Sequence, residues 1–146
     1  MYLGIDPGRQ KFGWAITDEG GNLLASGVTP SEALELFVQG VAQNPDDIMQ
    51  WLIEGTLPSP FRVRKVFCGD GTGHARFLRI LLDWGLDVQV TDEVNTTLEA
   101  RALFWKIHPP KGFWRLIPVT LRTPSRCIDD LAACCIIRRA LGVRLN

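Results

Sequence analysis

The feature that most constrains the fold is a change in the hydrophobic pattern after residue 28, from strand-like to helical. Before it, three short apolar runs follow one another with only turns between them, and they predict strands at "YLGID", "FGWAIT" and "LLASGV". Pro7 and Gly8 end the first run, because proline cannot donate to a sheet ladder and glycine lets the chain turn. The link "DEGGN" has hairpin length. We therefore expect an antiparallel three-stranded meander.

Helical periodicity then sets in. Thr29, Pro30 and Glu32 have the spacing of a capping box with proline at the first helical position. The helix that follows would bury one apolar face, formed by Leu34, Phe37, Val38 and Val41. A second helix is expected to begin at "NPDD" and to end at Gly55. It would carry Ile48, Met49, Leu52 and Ile53.

The rest of the chain alternates strand and helix. We predict strands at "RVRKVFC" and "LDVQV", and between them a helix, "GHARFLRILLDW", that is closed by Gly85. Thr96 and Glu99 form another capping box in front of the helix "TLEARALFWKI". A last helix is expected to start at Thr123 and Pro124.

Three antiparallel strands followed by strand-helix-strand units predict a single α/β domain spanning residues 1–146. Its core would be a mixed five-stranded sheet, three antiparallel strands and then parallel ones, flanked by helices. Ligands in such sheets gather at the carboxyl ends of the parallel strands. Asp6, the turn from Gly69 to Gly73, and Asp92 with Glu93 all follow strand ends, so these acids are expected at one edge.

Composition limits the class of protein. With 46% apolar and 22% charged residues the chain has the composition of a soluble globular protein. Neither a signal peptide nor a run of about 18 uncharged residues is present, so we expect a cytosolic protein without a membrane partner. The four cysteines lack C-x-x-C spacing and have two histidines as companions. They are interpreted as reduced and mostly buried rather than as a zinc site.

The net charge of zero hides an uneven distribution along the chain. Residues 12–61 contain acidic side chains and no Lys or Arg, whereas residues 100–128 contain six basic side chains and no Asp or Glu. A basic segment of this kind favours a polyanionic partner. The segment also carries Phe104, Trp105, Phe113 and Trp114. We expect the first two in the core, and the second two, outside a helix, are better candidates for stacking on unpaired bases.

The candidate acids each have an ordinary alternative role. Asp6 could be a turn residue, Glu93 a solvated loop charge, and Asp129 or Asp130 a complement to the dipole of the last helix. Several carboxylates brought together at neutral pH repel one another, and a divalent cation removes the conflict. Oxygen ligands suit Mg²⁺ or Mn²⁺, and two such ions promote phosphodiester cleavage. The acids therefore favour a metal-dependent nuclease.

Three sequence blocks strengthen this interpretation. "LGIDPG" at the amino terminus, "TDEVNTTLEAR" after a late strand and "IDDLAACCII" in the last helix occur in this order and span nearly the whole chain. Together they resemble the motifs of the ribonuclease H-like nucleases of the RuvC and YqgF families, which are Holliday junction resolvases and their relatives. "IDPG" is closer to RuvC, and "DE-x-x-TT-x-EA" is closer to YqgF.

The resemblance implies a ribonuclease H-like fold, two Mg²⁺ or Mn²⁺ ions, and catalytic, metal-binding roles for Asp6, Glu93 and Asp129. Thr96 and Thr97 match the threonine pair of the family. The chain departs from the YqgF pattern at "CGDGTGHA", where a Gly-Leu-Pro motif is usual. Asp70 in this loop is either a fourth metal ligand or a turn residue. The loop also lacks the lysine that a phosphate-binding P-loop carries.

The expected activity is endonucleolytic cleavage of structured nucleic acid, either branched DNA in recombination or precursor ribosomal RNA, by a monomer or a homodimer. The residues expected to contact nucleic acid are Arg9, Lys11, Thr96, Thr97, Arg101, Lys106, Lys111, Trp114, Arg115, Arg122 and Arg126. A relative that binds nucleic acid but has lost catalysis is the alternative, motivated by the altered loop. An actin-like phosphate binder shares the opening strand-turn-strand but generally needs two domains.

Overall fold

The computed structural model describes residues 1–143, and in this part of the chain the strands form one sheet in the order β4-β3-β2-β1-β5-β6. The strands are β1 (Tyr2–Asp6), β2 (Lys11–Thr17), β3 (Leu23–Pro30), β4 (Leu52–Gly55), β5 (Lys65–Gly69) and β6 (Val88–Thr91). Adjacent strands from β1 to β4 are antiparallel, whereas β5 is parallel to both β1 and β6. The mixed sheet with an antiparallel meander and then parallel strands is confirmed.

The sheet has six strands instead of the expected five. The prediction of a helix from "NPDD" to Gly55 was wrong: a 3₁₀ segment, Pro45–Trp51, leads into β4, which pairs antiparallel with β3. The four apolar residues assigned to that helix do not share a buried face. Ile48 is buried, whereas Met49 and Ile53 are exposed. Pairing with the edge of the sheet therefore overrides the local helical pattern.

Four α-helices cover the two faces of the sheet: α1 (Leu34–Gln43), α2 (His74–Asp83), α3 (Thr96–Ile107) and α4 (Asp129–Ala140). One buried cluster joins α1 and α2 to the face of the sheet that carries Phe12 and Trp14. A second cluster joins α3 and α4 to the opposite face. The apolar face predicted for the first helix is confirmed, since Leu34, Phe37, Val38 and Val41 are all buried.

Two predicted helix starts and one predicted helix cap were wrong. Thr29 and Pro30 end β3, and a 3₁₀ turn, Ser31–Ala33, precedes α1. The Thr96–Glu99 capping box does not form, because the Thr96 hydroxyl donates to the carbonyl oxygen of Glu93 and Asn95 precedes the helix with φ 67°. The last helix begins at Asp129 rather than at Thr123.

Between α3 and α4 the chain forms two short 3₁₀ segments, Gly112–Leu116 and Val119–Leu121, in a largely exposed stretch. Trp105 stacks near the guanidinium of Arg122, with the guanidinium carbon 5.8 Å from the ring centre. Phe104 is buried, as expected, and Trp105 is half-buried. Phe113 and Trp114 are exposed, which leaves their rings available for contacts. Within residues 1–143, no helix has the length and apolar character that crossing a membrane requires.

Candidate active site

The three candidate acids lie together where the parallel strands of the sheet have their carboxyl ends. Asp6 is the last residue of β1, and the neighbouring parallel strands β5 and β6 end at Gly69 and Thr91, in register with one another. Glu93 follows β6 by two residues. Asp129 is the first residue of α4, which packs across β1 and β2. The strand order thus brings together residues that are far apart in the sequence.

Two glycines leave room for the carboxylate of Glu93. A Cβ atom on Gly69 would lie 2.4 Å from Glu93 Oε2, and one on Gly71 would lie 2.2 Å from Glu93 Oε1. Because β5 separates β1 from β6, a side chain at Gly69 would also stand between Asp6 and Glu93. The glycine-rich loop after β5 therefore holds a carboxylate, and this explains the glycines that the sequence presents there.

The backbone around Glu93 is fixed from three directions. Asp70 Oδ1 accepts a hydrogen bond from the Glu93 amide at 3.1 Å, and Thr96 Oγ1 donates to the Glu93 carbonyl oxygen at 2.8 Å. Arg139 of α4 donates to the carbonyl oxygens of Asp92 and Val94 and pairs with Glu99 at 2.9 Å. Asp70 is thereby placed as a residue that positions Glu93, and its role as a fourth metal ligand stays a prediction.

Close backbone contact positions Asp129. Gly13 of β2 lies opposite Asp6 of β1, and a Cβ atom on Gly13 would be 2.0 Å from the carbonyl oxygen of Asp129. Further along α4, a Cβ atom on Gly4 would be 2.3 Å from the carbonyl oxygen of Ala133. These two glycines let α4 rest directly on the sheet. The first turn of α4 is held beside Asp6 as a result.

The electrostatics of the site reflect crowded negative charge. Burial raises the pKa of Asp6 from 3.8 to about 8, and the charges of Glu93 and Asp129 and a side-chain hydrogen bond with Glu93 contribute to this increase. Burial and the charge of Asp70 also raise the pKa of Glu93, whereas hydrogen bonds with Asp6 and the Gly71 amide and the charge of His74 lower it. Glu93 Oε2 is buried and has no hydrogen-bond donor among the described residues. The side chains of Asp6 and Glu93 therefore lie in contact where ionising both is unfavourable.

Asp129 has partners of its own. Lys11 Nζ lies 3.3 Å from Asp129 Oδ2 and donates to Cys127 Sγ at 2.9 Å, and the Cys127 thiol donates to the same Asp129 oxygen at 2.9 Å. These contacts raise the pKa of Lys11, the hydrogen bond to Cys127 contributing most. Cys127 is the exposed exception among the cysteines, since Cys68, Cys134 and Cys135 are buried as expected.

The donor set fits an oxygen-preferring divalent ion. Asp6 and Glu93 supply adjacent carboxylates, one with an unpaired oxygen, in a site where burial and then neighbouring negative charge raise both pKa values. Across residues 1–143, however, no three His, Cys, Asp or Glu side chains are arranged to hold a metal ion as they stand. Asp129 could join an ion after its carboxylate leaves Lys11. Metal binding therefore stays a prediction for these residues.

Asp130 differs sharply from its neighbour. Its side chain is fully buried, accepts a hydrogen bond from Ser26 Oγ at 2.7 Å and pairs with Arg126 at 2.8 Å. Arg126 also pairs with Glu54 at 2.9 Å, and His108 Nε2 lies 2.5 Å from the same Glu54 oxygen. Asp130 therefore belongs to a structural network that ties α4 to β3 and β4. Asp129 is the acid that faces the site.

An open cavity of about 360 Å³ adjoins the acids. It is lined by Asp6, Asp129 and the turn from Pro7 to Lys11. Of the residues predicted to contact nucleic acid, Arg9 and Lys11 thus lie at the site. Both cations and two of the candidate acids, Asp6 and Asp129, therefore surround one opening.

Three residues predicted to contact nucleic acid have structural partners. Thr96 is buried and holds the Glu93 loop. Arg122 donates to the carbonyl oxygens of Ile117 and Arg115 and thereby closes the loop between α3 and α4. Arg126 donates to Cys127, Asp130 and Glu54. These internal contacts hold the three side chains in place, and their contact with nucleic acid stays a prediction.

The other predicted contact residues lie along α3 and the loop that follows it. Arg101 is half-buried, and the exposed members are Thr97, Lys106, Lys111, Trp114 and Arg115. Because α3 runs away from Glu93 for 12 residues, these side chains would follow a strand that extends beyond the acids. Their contact with nucleic acid stays a prediction.

Comparison with known proteins gives structural neighbours but no sequence relatives. No protein-family model matches the chain, and no curated protein is significantly similar to it. Two solved structures resemble it along most of their length at 17% sequence identity. One is Thermus thermophilus RuvC in complex with a Holliday junction substrate, with 97% of this chain and 95% of that chain covered and a TM-score of 0.48. The other is a structure of Thermus thermophilus RuvC, with 97% and 96% covered and a TM-score of 0.49.

The strand order and strand directions described above are the mixed arrangement, antiparallel strands followed by parallel ones, that the sequence predicts. Sequence reasoning missed several residues that shape the site, namely Ser26, Glu54, His108, Cys127 and Arg139. Their partners lie at least 40 residues away in the sequence, except for Asp129, which is two residues from Cys127. The "CIDD" sequence was the one local signal for that last contact.

Proposed function

We propose that the chain is a divalent-metal-dependent endonuclease that cleaves phosphodiester bonds in structured nucleic acid, either branched DNA or folded RNA. The observation that carries the proposal is the meeting of Asp6, Glu93 and Asp129 at one sheet edge, where burial and then the charges of Glu93 and Asp129 raise the pKa of Asp6 to about 8. Such a cluster is unfavourable alone and favourable around a cation. The resemblance of three sequence blocks to RuvC-like and YqgF-like nucleases supports the same chemistry.

The expected cofactor is a pair of Mg²⁺ or Mn²⁺ ions held by Asp6 and Glu93, with Asp129 as the third acid. When bound, these ions supply charge for the attacking and leaving oxygens of the phosphate. The chain provides the orientation. Gly69 and Gly71 fix the Glu93 carboxylate, and Gly13 fixes the position of Asp129 relative to Asp6.

Lys11 has a defined part in this proposal. Its ammonium group neutralises Asp129 in the ion-free chain at 3.3 Å and lines the cavity beside Asp6. When a phosphate and ions occupy the cavity, Lys11 would turn from Asp129 to a phosphate oxygen, since both acceptors lie around the same opening. Arg9, exposed in the adjoining turn, would contact a flanking phosphate.

The test is cleavage of a four-way DNA junction and of precursor ribosomal RNA with Mn²⁺ or with a chelator. We expect cleavage of one of the two only with the metal, and its loss in Asp6→Asn, Glu93→Gln and Asp129→Asn. Asp83→Asn, at an exposed residue on α2, is the matched control and should cleave like the parent chain. Cleavage that survives Asp6→Asn would reject the site.

A second function is favoured by one observation. Asp129 contacts Lys11 and Cys127. Within residues 1–143, no three acidic side chains are close enough together to hold a metal ion as they stand. This is compatible with a protein that binds nucleic acid without cutting it. Junction binding with equal affinity in Mg²⁺ and in chelator, together with no cleavage, would favour this function over the nuclease.

A further inference from the structure

A second cavity lies away from the acids, between the edge of the sheet and the loop after α3. Its volume is about 280 Å³, at the small end of the range for ligand pockets. Trp105 and Trp114 contribute aromatic faces, and Pro109 and Pro110 add apolar surface. Glu54 of β4 and Arg126 supply polar groups. The size and the flat apolar walls suit one small planar ring system.

The Arg126 side chain in the wall has no free terminal donor for a phosphate. Its terminal nitrogens donate to Cys127, to both oxygens of Asp130 and to Glu54. His108 Nε2 binds the same Glu54 oxygen. An anion entering here would meet no available guanidinium donor at the Arg126 terminus. A neutral ring with hydrogen-bond donors would meet the Glu54 carboxylate.

Aromatic contacts form the wall, in which one buried donor has no partner. Arg126 lies 5.7 Å from the centre of the Phe104 ring, and Phe104 packs edge-on against Trp105 at 5.0 Å. The indole N–H of Trp105 is buried and has no acceptor among the described residues. A buried donor without a partner is unfavourable. A ring with an acceptor on its edge could satisfy it after a small shift of the wall.

The cavity is close to the candidate active site. Ser125 and Arg126 line it, and Asp129 follows Arg126 by three residues, which span at most about 11 Å of chain. Lys111, also in the lining, has an exposed side chain that could reach the phosphate of an entering nucleotide. A base that flanks the scissile phosphate could therefore enter this cavity while the phosphate remains near Asp129.

From these observations we infer that the cavity between Glu54, Trp105 and Trp114 binds one unpaired nucleobase, next to the phosphate that the proposed nuclease would cleave. The inference rests on the proposed function for the position of that phosphate. The ring would stack against indole, and Glu54 would accept a hydrogen bond from an exocyclic amino group, as carboxylates do with such amines in nucleic-acid recognition. Adenine, cytosine and guanine carry an exocyclic amino group, whereas thymine and uracil do not.

The first experiment needs neither cleavage nor metal. The full chain is titrated with adenosine monophosphate and with purine riboside monophosphate, which lacks the amino group, in chelator. The indole N–H resonances are followed by NMR and assigned with Trp105→Phe and Trp114→Phe. We expect saturable shifts of the Trp105 and Trp114 signals, with adenosine binding more tightly. Glu54→Gln should reduce that preference. Shifts confined to other tryptophans, or no shift at all, would overturn the inference.

The second experiment uses a nucleic-acid strand in the Asp6→Asn background, so that no cutting can occur. Junctions differ only at the flanking nucleotide, which is either adenosine or an abasic site. We expect the abasic junction to bind about 5- to 150-fold more weakly, the range for stacking of one base. Trp114→Ala should abolish the difference. Phe113→Ala is the matched control, because Phe113 is exposed beside Trp114 and does not line the cavity.

The two proposals fail in distinguishable ways. Nucleotide-dependent shifts of Trp105 and Trp114 without any cleavage would keep the base pocket and reject the nuclease. Metal-dependent cleavage that is equal for adenosine and abasic junctions, with no nucleotide-dependent shift, would keep the nuclease and reject the pocket.

Discussion

Asp6 is the residue whose charge state depends most on its surroundings, because its pKa lies near 8 in the folded chain and near 3.8 when it is free in water. Between these values the folded state holds a proton that the unfolded state has released. Stability of the ion-free chain must therefore fall as the pH rises through this window, by up to about 1.4 kcal/mol per unit for this group. Glu93, whose pKa is also raised, acts in the same direction.

Asp6→Asn removes the first of these ionisations. We expect the variant to be more stable than the parent chain at pH 8 in chelator, and the difference to shrink towards pH 5. Urea unfolding at both pH values measures it, with Asp83→Asn as the control. Mg²⁺ should stabilise the parent at pH 8 and should stabilise the variant less. Parallel pH profiles for parent and variant would contradict the raised pKa of Asp6.

Asp129 and Asp130 are adjacent in the sequence, yet the structure gives them different tasks. Asp130 is fully buried with Arg126 and Ser26, and removing one partner of a buried ion pair typically costs about 3 to 5 kcal/mol. Asp129 is partly exposed at the site. We expect Asp130→Asn to lower the free energy of unfolding by about 3 kcal/mol, and Asp129→Asn to change it little while abolishing cleavage. Equal effects of the two substitutions on stability would contradict this assignment.

At the scale of elements, the docking of α4 on the sheet depends on Gly13. A methyl group there would lie 2.0 Å from the carbonyl oxygen of Asp129 and 2.6 Å from the amide nitrogen of Asp130. Both are backbone atoms of the helix, so relief requires a movement of α4 itself. Overpacking of this kind costs about 1 to 3 kcal/mol.

Gly13→Ala should therefore lower the free energy of unfolding by about 2 to 3 kcal/mol and should also impair cleavage, because Asp129 moves away from Asp6. Gly20→Ala is the control, since its nearest atoms are 3.3 Å away and belong to the side chains of Asn22 and Asp18. Denaturant unfolding and the cleavage rate measure the two effects. A Gly13→Ala variant as stable and active as the parent would refute close contact of α4 with β2.

Elements that follow a strong local pattern could be predicted from the sequence. Turn residues separate the strands of the meander, and α1 has one continuous apolar face. β4 could not be predicted, because its four residues form a strand only by pairing with β3. The start of α4 was missed for a related reason. The cap signal at Thr123 is local, whereas Arg122 and Arg126 hold the preceding loop through distant or irregular acceptors.

The candidate site was predictable to the same extent. Asp6 and Glu93 could be found because acids that follow parallel strands meet at one edge. The contact of Lys11 with Cys127 joins residues 116 positions apart, and no sequence pattern marks it. The choice between Asp129 and Asp130 also needed the fold, since it depends on which side of α4 faces Ser26.

For the whole molecule, folding changes the meaning of the uneven charge distribution. The acidic segment, residues 12–61, supplies Glu54, which pairs with His108 and with Arg126 of the basic segment, residues 100–128. Part of the positive charge is therefore neutralised internally. If the basic segment binds phosphates, fewer than its six cations are free to do so.

The number of cations that contact phosphates can be measured through the salt dependence of junction binding. Each phosphate contact contributes about 0.7 to 0.9 to the slope of log affinity against log salt. Lys111 is exposed, whereas Arg122 donates to the carbonyl oxygens of Ile117 and Arg115. We expect Lys111→Gln to reduce the slope by about one such contact. Arg122→Gln is the matched basic control and should leave the slope unchanged while destabilising the loop after α3. A slope that falls with Arg122→Gln and not with Lys111→Gln would place the nucleic acid elsewhere on the molecule.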